Sequence, residues 1–248
     1  MASFDLVQQF VRDVGRIETE HELTQSLDEM SLSLGFAYFA LTHHVDLRHA
    51  PQPAIRLATY PTEWIDYFDS ERLGPLDPVH RASHLTSVGF AWSKVPSMIN
   101  LTRRDHEILD RAAGAGIGEG FTIPAHVPGE SLGSCSFATR RGEPIPEDAL
   151  PSVQLVGLFA FEAARRMSRM RSFETDLPAL TDRQRDCLVW AARGKSDWEI
   201  SRILGISHDT VVQHVKQARE RYGVGKRTLL AIHALFDGTI SFLDVMRR

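Results

Sequence analysis

The C-terminal fold is decided by residues 180–228, which read LTDRQRDCLVWAARGKSDWEISRILGISHDTVVQHVKQARERYGVGKRT. This stretch predicts three short helices in quick succession, each with its own start signal. Thr181 followed by Gln184 is a capping box, and so is Ser196 followed by Glu199. In each box the side chains take up N–H groups that the first helical turn leaves free.

The third helix is predicted to follow the second after only a tight turn. Ser207 opens it, and Asp209 in its first turn suits the positive end of the helix dipole. Gly194 and Gly205 separate the three helices. Apolar residues recur at helical spacing throughout: Leu188, Val189, Ala192, Ile200, Ile203, Leu204, Val211, Val215, Ala218 and Tyr222. Two short helices joined so tightly describe a helix-turn-helix DNA reader.

The same stretch resembles the four-helix DNA-binding domain of LuxR-type transcriptional regulators. The spacing agrees without a gap, although position 212, where many members carry Lys or Arg, is Val212 here. The matching residues are Leu180, Thr181, Arg183, Ala192, Gly194, Lys195, Ser196, Glu199, Ile200, Ile203, Leu204, Ile206, Ser207, Thr210, Val211, His214, Gly223, Val224, Arg227 and Thr228.

Candidate DNA contacts lie mostly on the third helix. The residues expected to reach base edges are Thr210, Gln213, His214 and Gln217. Lysine and arginine neutralise phosphates, and the candidates of that kind are Lys195, Lys216, Arg219, Arg221 and Lys226. For each residue the alternative is a solvated surface side chain. Glu199 is expected to be a structural cap with an arginine partner.

Composition indicates a two-domain protein in a reducing compartment. At 248 residues and 43% hydrophobic content the chain is long enough for two ordinary cores. No apolar run approaches the roughly 18 residues of a membrane helix, and the N-terminus carries acids where a signal peptide is apolar. Cys135 and Cys187 fall in different predicted domains, which favours a cytoplasmic protein without disulfides.

Charge is distributed unevenly between the two halves. Residues 177–248 carry 12 Lys and Arg against 8 Asp and Glu, whereas the whole chain has a net charge of −4. An acidic domain joined to a basic one suggests that only the second meets phosphate. The excess is modest, so the helix pattern carries the DNA-binding prediction.

Predicted limits are residues 1–170 for the first domain, 171–178 for a linker and 179–248 for the second domain.

The first domain alternates helix and strand signals. Helices are predicted at residues 4–15, 21–34, 61–72, 77–84, 102–113 and 153–167, and strands at residues 36–41, 54–60, 121–127 and 134–139. The last two strands flank Pro128-Gly129, which reads as a hairpin turn. The expected fold class is α+β, with an N-terminal α/β/α sandwich around an antiparallel sheet. Such layers can enclose a ligand between sheet and helices.

One aromatic segment of this domain points to a binding site. Trp64 and Phe68 share a helical face, with Tyr60 one turn earlier, and Asp77 and Trp92 follow. Indole and phenol groups donate hydrogen bonds to carbonyls, and a carboxylate accepts from an amide N–H. The set therefore suits a neutral amphiphile that carries an amide. The alternatives are an ordinary aromatic core and a helix cap at Asp77.

The anchor residues resemble the autoinducer-binding domain of the same LuxR family, whose members bind N-acyl-homoserine lactones. They are Tyr60, Trp64, Asp77, Pro78, Trp92, Ser93, Gly120, Thr122 and Pro124. The resemblance implies that Trp64 donates to the lactone carbonyl, Asp77 accepts the amide N–H and Tyr60 donates to the acyl carbonyl. Ser136 would assist, Trp92 would pack on the lactone ring and Gly120 would leave room at the wall. Val79, two residues after Asp77, is also expected to contact the ligand.

The chain departs from the family at Phe68. Members usually have Tyr there, and the neighbouring Tyr67 points about 100° away on a helix. A more apolar pocket face predicts a changed acyl preference, branched or aromatic, or a ligand that is not a lactone.

The sequence shows no motif for nucleotide binding, metal binding, catalysis or phosphorylation. The stretch from Gly114 to Gly120 fits no nucleotide-loop register, and the histidines, including His43 and His44, lack metal-ligand spacing. No cofactor, metal site or catalytic residue is predicted, nor is the acidic pair of a phosphorylation-controlled receiver domain.

The function expected from the sequence is ligand-gated transcription control. A homodimer, formed through the helix near residues 150–167 and the final helix near 229–236, would place two recognition helices on a palindromic operator in double-stranded DNA. The alternative is a LuxR-type regulator that responds to a non-lactone small molecule or to a protein partner.

Overall fold

The described part of the chain forms two compact units. A computed structural model describes residues 2–46, 54–128, 130–171 and 179–246. The first unit is Met1–His126 with Ser131–Phe173, and the second is Glu174–Arg248 with Val127–Glu130. Of the predicted linker, Arg171 is the last residue of a helix and residues 172–178 lie outside the described residues. Gly129 of the predicted hairpin turn also lies outside them.

The first unit contains a five-stranded sheet between two layers of helices. The helices are α1 Ala2–Val14, α2 Glu20–Ser33, α3 Thr62–Ser70, α4 Pro78–Ser83, α5 Val95–Met98, α6 Arg103–Gly114 and α7 Leu150–Arg171. The strands are β1 Tyr38–His43, β2 Arg56–Ala58, β3 Phe90–Ala91, β4 Ile117–Ala125 and β5 Gly133–Arg140. Their order is β2-β1-β5-β4-β3, and every pairing is antiparallel. The predicted α/β/α sandwich is confirmed.

The two faces of the sheet differ in chemistry. Side chains alternate along a strand, so Cys135 and Phe137 of β5 face the main core with α1, α2 and α7. Ser134 and Ser136 face the opposite way. Thr122 of β4 pairs across the strands with Ser136. The second face therefore carries small and polar side chains beneath α3, α4 and α6.

Several boundaries differ from the prediction. The first strand begins at Tyr38, two residues later than predicted, although Phe36 is still buried in the core. β4 begins at Ile117, within the glycine-rich stretch, because glycines contribute no hydrophobic alternation from which a strand can be predicted. Gly118 lies so close to β5 that an added Cβ would be 2.3 Å from the Arg140 carbonyl oxygen. β3 and α5 were not predicted.

The second unit is helical. Its helices are α8 Asp182–Ala192, α9 Asp197–Leu204, α10 His208–Arg221, α11 Arg227–Phe236 and α12 Phe242–Met246. Both predicted capping boxes are present, and the Ser207 side chain accepts from the Thr210 N–H. Gly205 ends α9 with a φ of 65°, which permits the tight turn before α10. The predicted helix-turn-helix is thus α9 and α10.

Buried residues on α8, α10 and α11 hold this unit together. Leu188, Ala218 and Leu230 are fully buried in one cluster. The short α12 was not predicted; its Asp244 accepts from Arg193 Nε at 2.7 Å through the carbonyl and from Arg185 through the carboxylate. None of the helices in the described ranges combines the length and the apolar content needed to cross a bilayer.

Candidate functional site

An aromatic cluster lies on the polar face of the sheet. Trp64 is buried, and its ring centroid is 5.8 Å from those of both Tyr67 and Phe68. The rings of Tyr38 and Tyr60 are 6.0 Å apart in the same cluster. We call these five residues, together with Trp92, the aromatic cluster. The predicted face formed by Tyr60, Trp64 and Phe68 is therefore assembled in the fold.

Tyr67 belongs to the cluster even though it was predicted to point away. Its ring packs against Trp64, and the Arg111 guanidinium lies 5.0 Å from its centre. The offset between adjacent helical residues is about 100°, which a large ring can bridge when α6 supplies a partner. Phe68 lacks a hydroxyl, but the preceding residue, Tyr67, brings a phenol into the same cluster.

Asp77 caps α4 with one of its two carboxylate oxygens. Oδ1 accepts from the Val79 N–H at 2.8 Å and from the His80 N–H at 3.0 Å, and Pro78 occupies the first helical position. The residue is only 6% exposed. The cap interpretation is confirmed, and because both bonds use Oδ1, the second oxygen, Oδ2, remains to accept an N–H from a ligand.

Trp92, Gly120 and Ser136 are brought together by a chain of hydrogen bonds and a close packing contact. Trp92 Nε1 donates to Thr122 Oγ1 at 2.8 Å, and that oxygen lies 2.7 Å from Ser136 Oγ. The Trp92 ring fills the space beside Gly120. The room left by Gly120 is therefore taken by this ring. Thr122, which links the two predicted residues, was recognised in the sequence only as part of the family match.

Tyr60 is held in its protonated form. Burial raises the pKa of its hydroxyl well above the ordinary value, and the nearby negative charge of Asp77 raises it further. The phenol therefore remains a hydrogen-bond donor. Tyr60 can therefore donate to a carbonyl, and the nearby Asp77 can accept from an amide N–H.

Histidines that the sequence left unassigned lie next to this site. Phe68 meets His80 edge to face at 5.7 Å, and His80 stacks on His44 at 3.9 Å. His84 and His126 continue the series. Their positions are scattered along the chain, so no local spacing indicated that they would meet.

The face of α10 opposite its buried residues carries the predicted DNA contacts. Val211, Val215 and Ala218 are buried, whereas Thr210, Gln213 and Lys216 are exposed. Thr210 Oγ1 lies 2.8 Å from Ser207 Oγ, at the start of the helix. His214 is half-buried. Asp209, which was identified only as a dipole partner, has a fully exposed side chain on this outward face.

Three predicted DNA contacts also hold the second unit together. The Oε1 of Gln217 accepts from Gln184 Nε2 at 3.0 Å, and Gln184 is only 2% exposed. Arg219 Nη1 donates to the Gly225 carbonyl at 2.8 Å, and Arg221 donates to the Ala179 carbonyl.

Of the three lysines predicted to bind phosphate, two lie beside a glutamate of the same helix or its cap and the third precedes α11. Lys195 binds Glu199 at 2.9 Å, Lys216 lies 3.8 Å from Glu220, and Lys226 is exposed just before α11. The arginine partner predicted for Glu199 is wrong, because the cation that binds this carboxylate is Lys195. The Ser196 N–H and hydroxyl and the Lys195 ammonium lower the pKa of Glu199 to about 2.

Both halves of the chain match known families. Residues 19–164 match the autoinducer binding domain, and residues 178–234 match the bacterial regulatory proteins of the luxR family. The quorum sensing-dependent transcriptional regulator RpaR of Rhodopseudomonas palustris is 32% identical over 94% of this chain and 93% of its own length. The transcriptional activator LuxR of Aliivibrio fischeri is 23% identical over 95% of both chains.

A solved structure shares the fold. The crystal structure of Escherichia coli SdiA covers 98% of this chain and 99% of its own, with a TM-score of 0.69 and 22% identity. A second SdiA structure, in complex with octanoyl-rac-glycerol, has a TM-score of 0.70 at 22% identity over 96% of both chains.

The two matches identify a transcriptional regulator with an autoinducer-binding domain and a DNA-binding domain. The chain belongs to the LuxR family of quorum-sensing transcriptional regulators.

Proposed function

We propose that the first unit senses an N-acyl-homoserine lactone through the aromatic cluster and Asp77. Trp64 donates to the lactone carbonyl, Tyr60 donates to the acyl carbonyl, and Asp77 accepts the amide N–H. Trp92 packs on the lactone ring beside Gly120, Ser136 assists from the sheet, and Val79 and Phe68 line the acyl side.

This proposal rests on the Asp77 carboxylate, whose two oxygens differ in their hydrogen-bond partners. One oxygen holds α4, and the other remains to accept an N–H. A charged acceptor in a buried site binds an amide with about 1.5–3 kcal/mol, because the unmatched group is costly to leave there. An acyl amide supplies such an N–H, whereas an ester or a free fatty acid does not.

Asp77→Asn separates the two tasks, because the amide oxygen can still cap α4 while its nitrogen cannot accept an N–H. The expected result is a folded protein whose Kd for the best-binding lactone rises about tenfold or more, measured by isothermal titration calorimetry. Asp66→Asn, on the exposed side of α3, is the matched control and should leave the Kd unchanged. An unaltered Kd in Asp77→Asn would remove Asp77 from the site.

A non-lactone ligand is the second candidate, and Phe68 favours it because a hydroxyl usual in the family is absent here. The SdiA complex with octanoyl-rac-glycerol gives a probe for this case. Phe68→Tyr should change the order of affinities in a panel of straight, branched and aryl lactones together with 1-octanoylglycerol. An unchanged order would show that Phe68 does not set the preference.

The second unit is proposed to bind a palindromic operator as a homodimer, with domain limits of residues 1–170 and 179–248 joined by a linker. Leu155, Leu158 and Phe159 are exposed on α7, and Leu229, Ile232 and Phe236 are exposed on α11. Exposed apolar side chains at helical spacing suit a symmetric interface. Base edges are read by Thr210, Gln213, His214 and Gln217, and phosphates are bound by Lys195, Lys216, Arg219, Arg221 and Lys226.

Sedimentation velocity tests the dimer in the presence of the best-binding ligand. Ile232→Asp places a charge on the α11 face and should shift the protein to monomer. The control is Leu85→Asp, which places the same charge on an exposed apolar residue of the first unit, away from α7 and α11 in the sequence. A dimer that persists in Ile232→Asp would exclude this face.

A further inference from the structure

Four imidazole rings form one continuous series beside the ligand site. His80 stacks on His44 with ring centroids 3.9 Å apart, His44 and His84 are 5.1 Å apart, and His84 meets His126 edge to face at 5.8 Å. We call these residues the imidazole stack. His80 also contacts Phe68 of the aromatic cluster, so the stack and the site share a wall.

The hydrogen bonds of the stack suit neutral rings. His80 Nδ1 donates to the Gly74 carbonyl at 2.8 Å, and His126 Nε2 donates to the Ser83 carbonyl at 3.0 Å. His44 Nδ1 and His84 Nε2 face each other at 2.9 Å. One of these two nitrogens must offer a lone pair, because two N–H groups cannot face each other at that distance. The pair therefore cannot hold both rings in the charged form.

The stack joins α4 to the sheet. His80 and His84 belong to α4 and its C-terminal end, whereas His44 directly follows β1 and binds Ser134 Oγ of β5 at 2.8 Å. α4 has only six residues, and its first turn is the one capped by Asp77. The position of the Asp77 carboxylate is therefore tied, through α4, to the ring contacts of His44.

The charged groups around the stack offer little to balance an added proton. Burial holds the pKa of His44 well below its ordinary range, and the other histidines, His80 first, lower it further. His84 is more exposed than His44, and its pKa is lowered by partial burial of the ring and by the neighbouring His126 and His80. From β1, the nearest titratable neighbour of His44 is His43, whose ring meets Phe161 of α7 and whose Nδ1 accepts from the Ile55 N–H.

Of the charged side chains on and before the neighbouring helices, Arg81 and Asp105 are paired with each other, whereas Asp77 keeps one oxygen, Oδ2, for the proposed ligand. Arg81 of α4 binds Asp105 of α6 at 3.0 Å, and Asp77 Oδ1 is engaged in the cap. Within the described ranges the His, Cys, Asp and Glu side chains form no group of three or more that could hold a metal ion.

We propose that His44, His80 and His84 are positioning residues for the Asp77 cap, and that protonating their stack displaces α4 and weakens autoinducer binding at mildly acidic pH. The second half of this inference rests on the proposed ligand site. Its first half, the loosening of α4 by acid, does not depend on any ligand.

Acid is expected to destabilise the closed stack, because the pKa values of His44 and His84 are lowered in the fold. Above the ordinary imidazole pKa of about 6.5 both the folded and the unfolded chain are neutral here, and the stack contributes its full stability. Below it, the opened state takes up protons that the closed stack refuses, so acid favours opening. One linked proton changes the equilibrium by up to about tenfold per pH unit.

The test is hydrogen exchange of the full chain at about pH 7.5 and about pH 5.5, corrected for intrinsic exchange rates. In wild type, protection of the α4 amides is expected to fall at least about tenfold at the lower pH. His44→Gln keeps a group that can bind Ser134 but cannot be charged, so its loss of protection should be much smaller. His84→Gln, at an exposed residue, should also flatten the response and decides the matter if His44→Gln does not fold.

His106→Gln, on the exposed side of α6, is the matched control and should behave like wild type. Equal α4 protection at both pH values in wild type would overturn the proposal, as would a pH response unchanged in His84→Gln.

A parallel arm measures the rise in Tm caused by the best-binding lactone at the two pH values, and this rise should shrink in acid for wild type but not for His44→Gln. A rise that stays constant in wild type would overturn the coupling. If no lactone raises the Tm at either pH, lactone sensing fails while the exchange arm still decides the role of the stack.

Discussion

The indole ring of Trp92 occupies the space where a side chain on Gly120 would begin. An added Cβ on Gly120 would lie 2.4 Å from Trp92 Cε2, far inside van der Waals contact. Because the same ring donates to Thr122, the bare backbone at Gly120 fixes both the position of Trp92 and its hydrogen bond to the sheet.

Gly120→Ala should therefore displace Trp92. Overpacking of this kind costs about 1–3 kcal/mol, so the Tm should fall by several degrees and the tryptophan fluorescence should shift. Gly114→Ala is the control, since an added Cβ there meets nothing within 4 Å. A Gly120→Ala protein with unchanged Tm and lactone affinity would show that Trp92 can move without consequence.

Gln217 should behave differently from Gln213 although both are predicted to contact bases. Gln217→Ala leaves the buried Gln184 amide without its partner, which costs about 1–3 kcal/mol. It should lower both the Tm and the operator affinity, whereas Gln213→Ala, on an exposed residue, should lower only the affinity. Equal Tm values for the two variants would exclude a structural role for Gln217.

Lys216 is predicted to bind a phosphate. Lys216→Gln should weaken binding to every operator variant by a similar factor and reduce the slope of log K against log salt by about one. Fluorescence anisotropy titrations at several salt concentrations give that slope. A loss of affinity confined to one operator variant would instead assign Lys216 to a base.

Glu199 makes the second unit sensitive to strong acid. Its pKa in the fold is about 2, below the ordinary value, mainly because of the bond from the Ser196 N–H. The stabilisation is therefore present above about pH 4.5 and is lost as the pH falls toward 2.

Glu199→Gln keeps the capping pattern without the charge. The difference between its Tm and that of wild type should therefore be largest near neutral pH and should disappear as the pH falls toward 2. Glu220→Gln is the control on another exposed carboxylate paired with a lysine. A deficit independent of pH would assign the effect to packing.

The second unit was easier to predict than the first. Its capping boxes are local, with donor and acceptor three residues apart, so Thr181 and Ser196 could be identified from the sequence alone. The tight turn at Gly205 was equally visible. By contrast, α12 is held by Arg185 and Arg193, which lie far from it in sequence, and local patterns carry no such information.

The candidate ligand site was predictable only in part. The helical face of Trp64 and Phe68 follows from spacing, and Asp77 before Pro78 predicts a cap. The contact between His44 and His80 joins residues from different elements, so it appears only once β1 and α4 pack together. The same holds for Trp92 and Thr122, which meet through the pairing of β3 with β4.

Lactone sensing is tested by thermal unfolding of the full chain with a panel of acyl-, branched-acyl- and aryl-homoserine lactones, with matched fatty acids as controls. A ligand present at about one hundred times its Kd stabilises the folded state by about 2.7 kcal/mol. If the first unit senses a lactone, at least one lactone should raise the Tm by several degrees and its fatty acid should not. No rise with any lactone, in protein that is folded and binds DNA, would contradict lactone sensing.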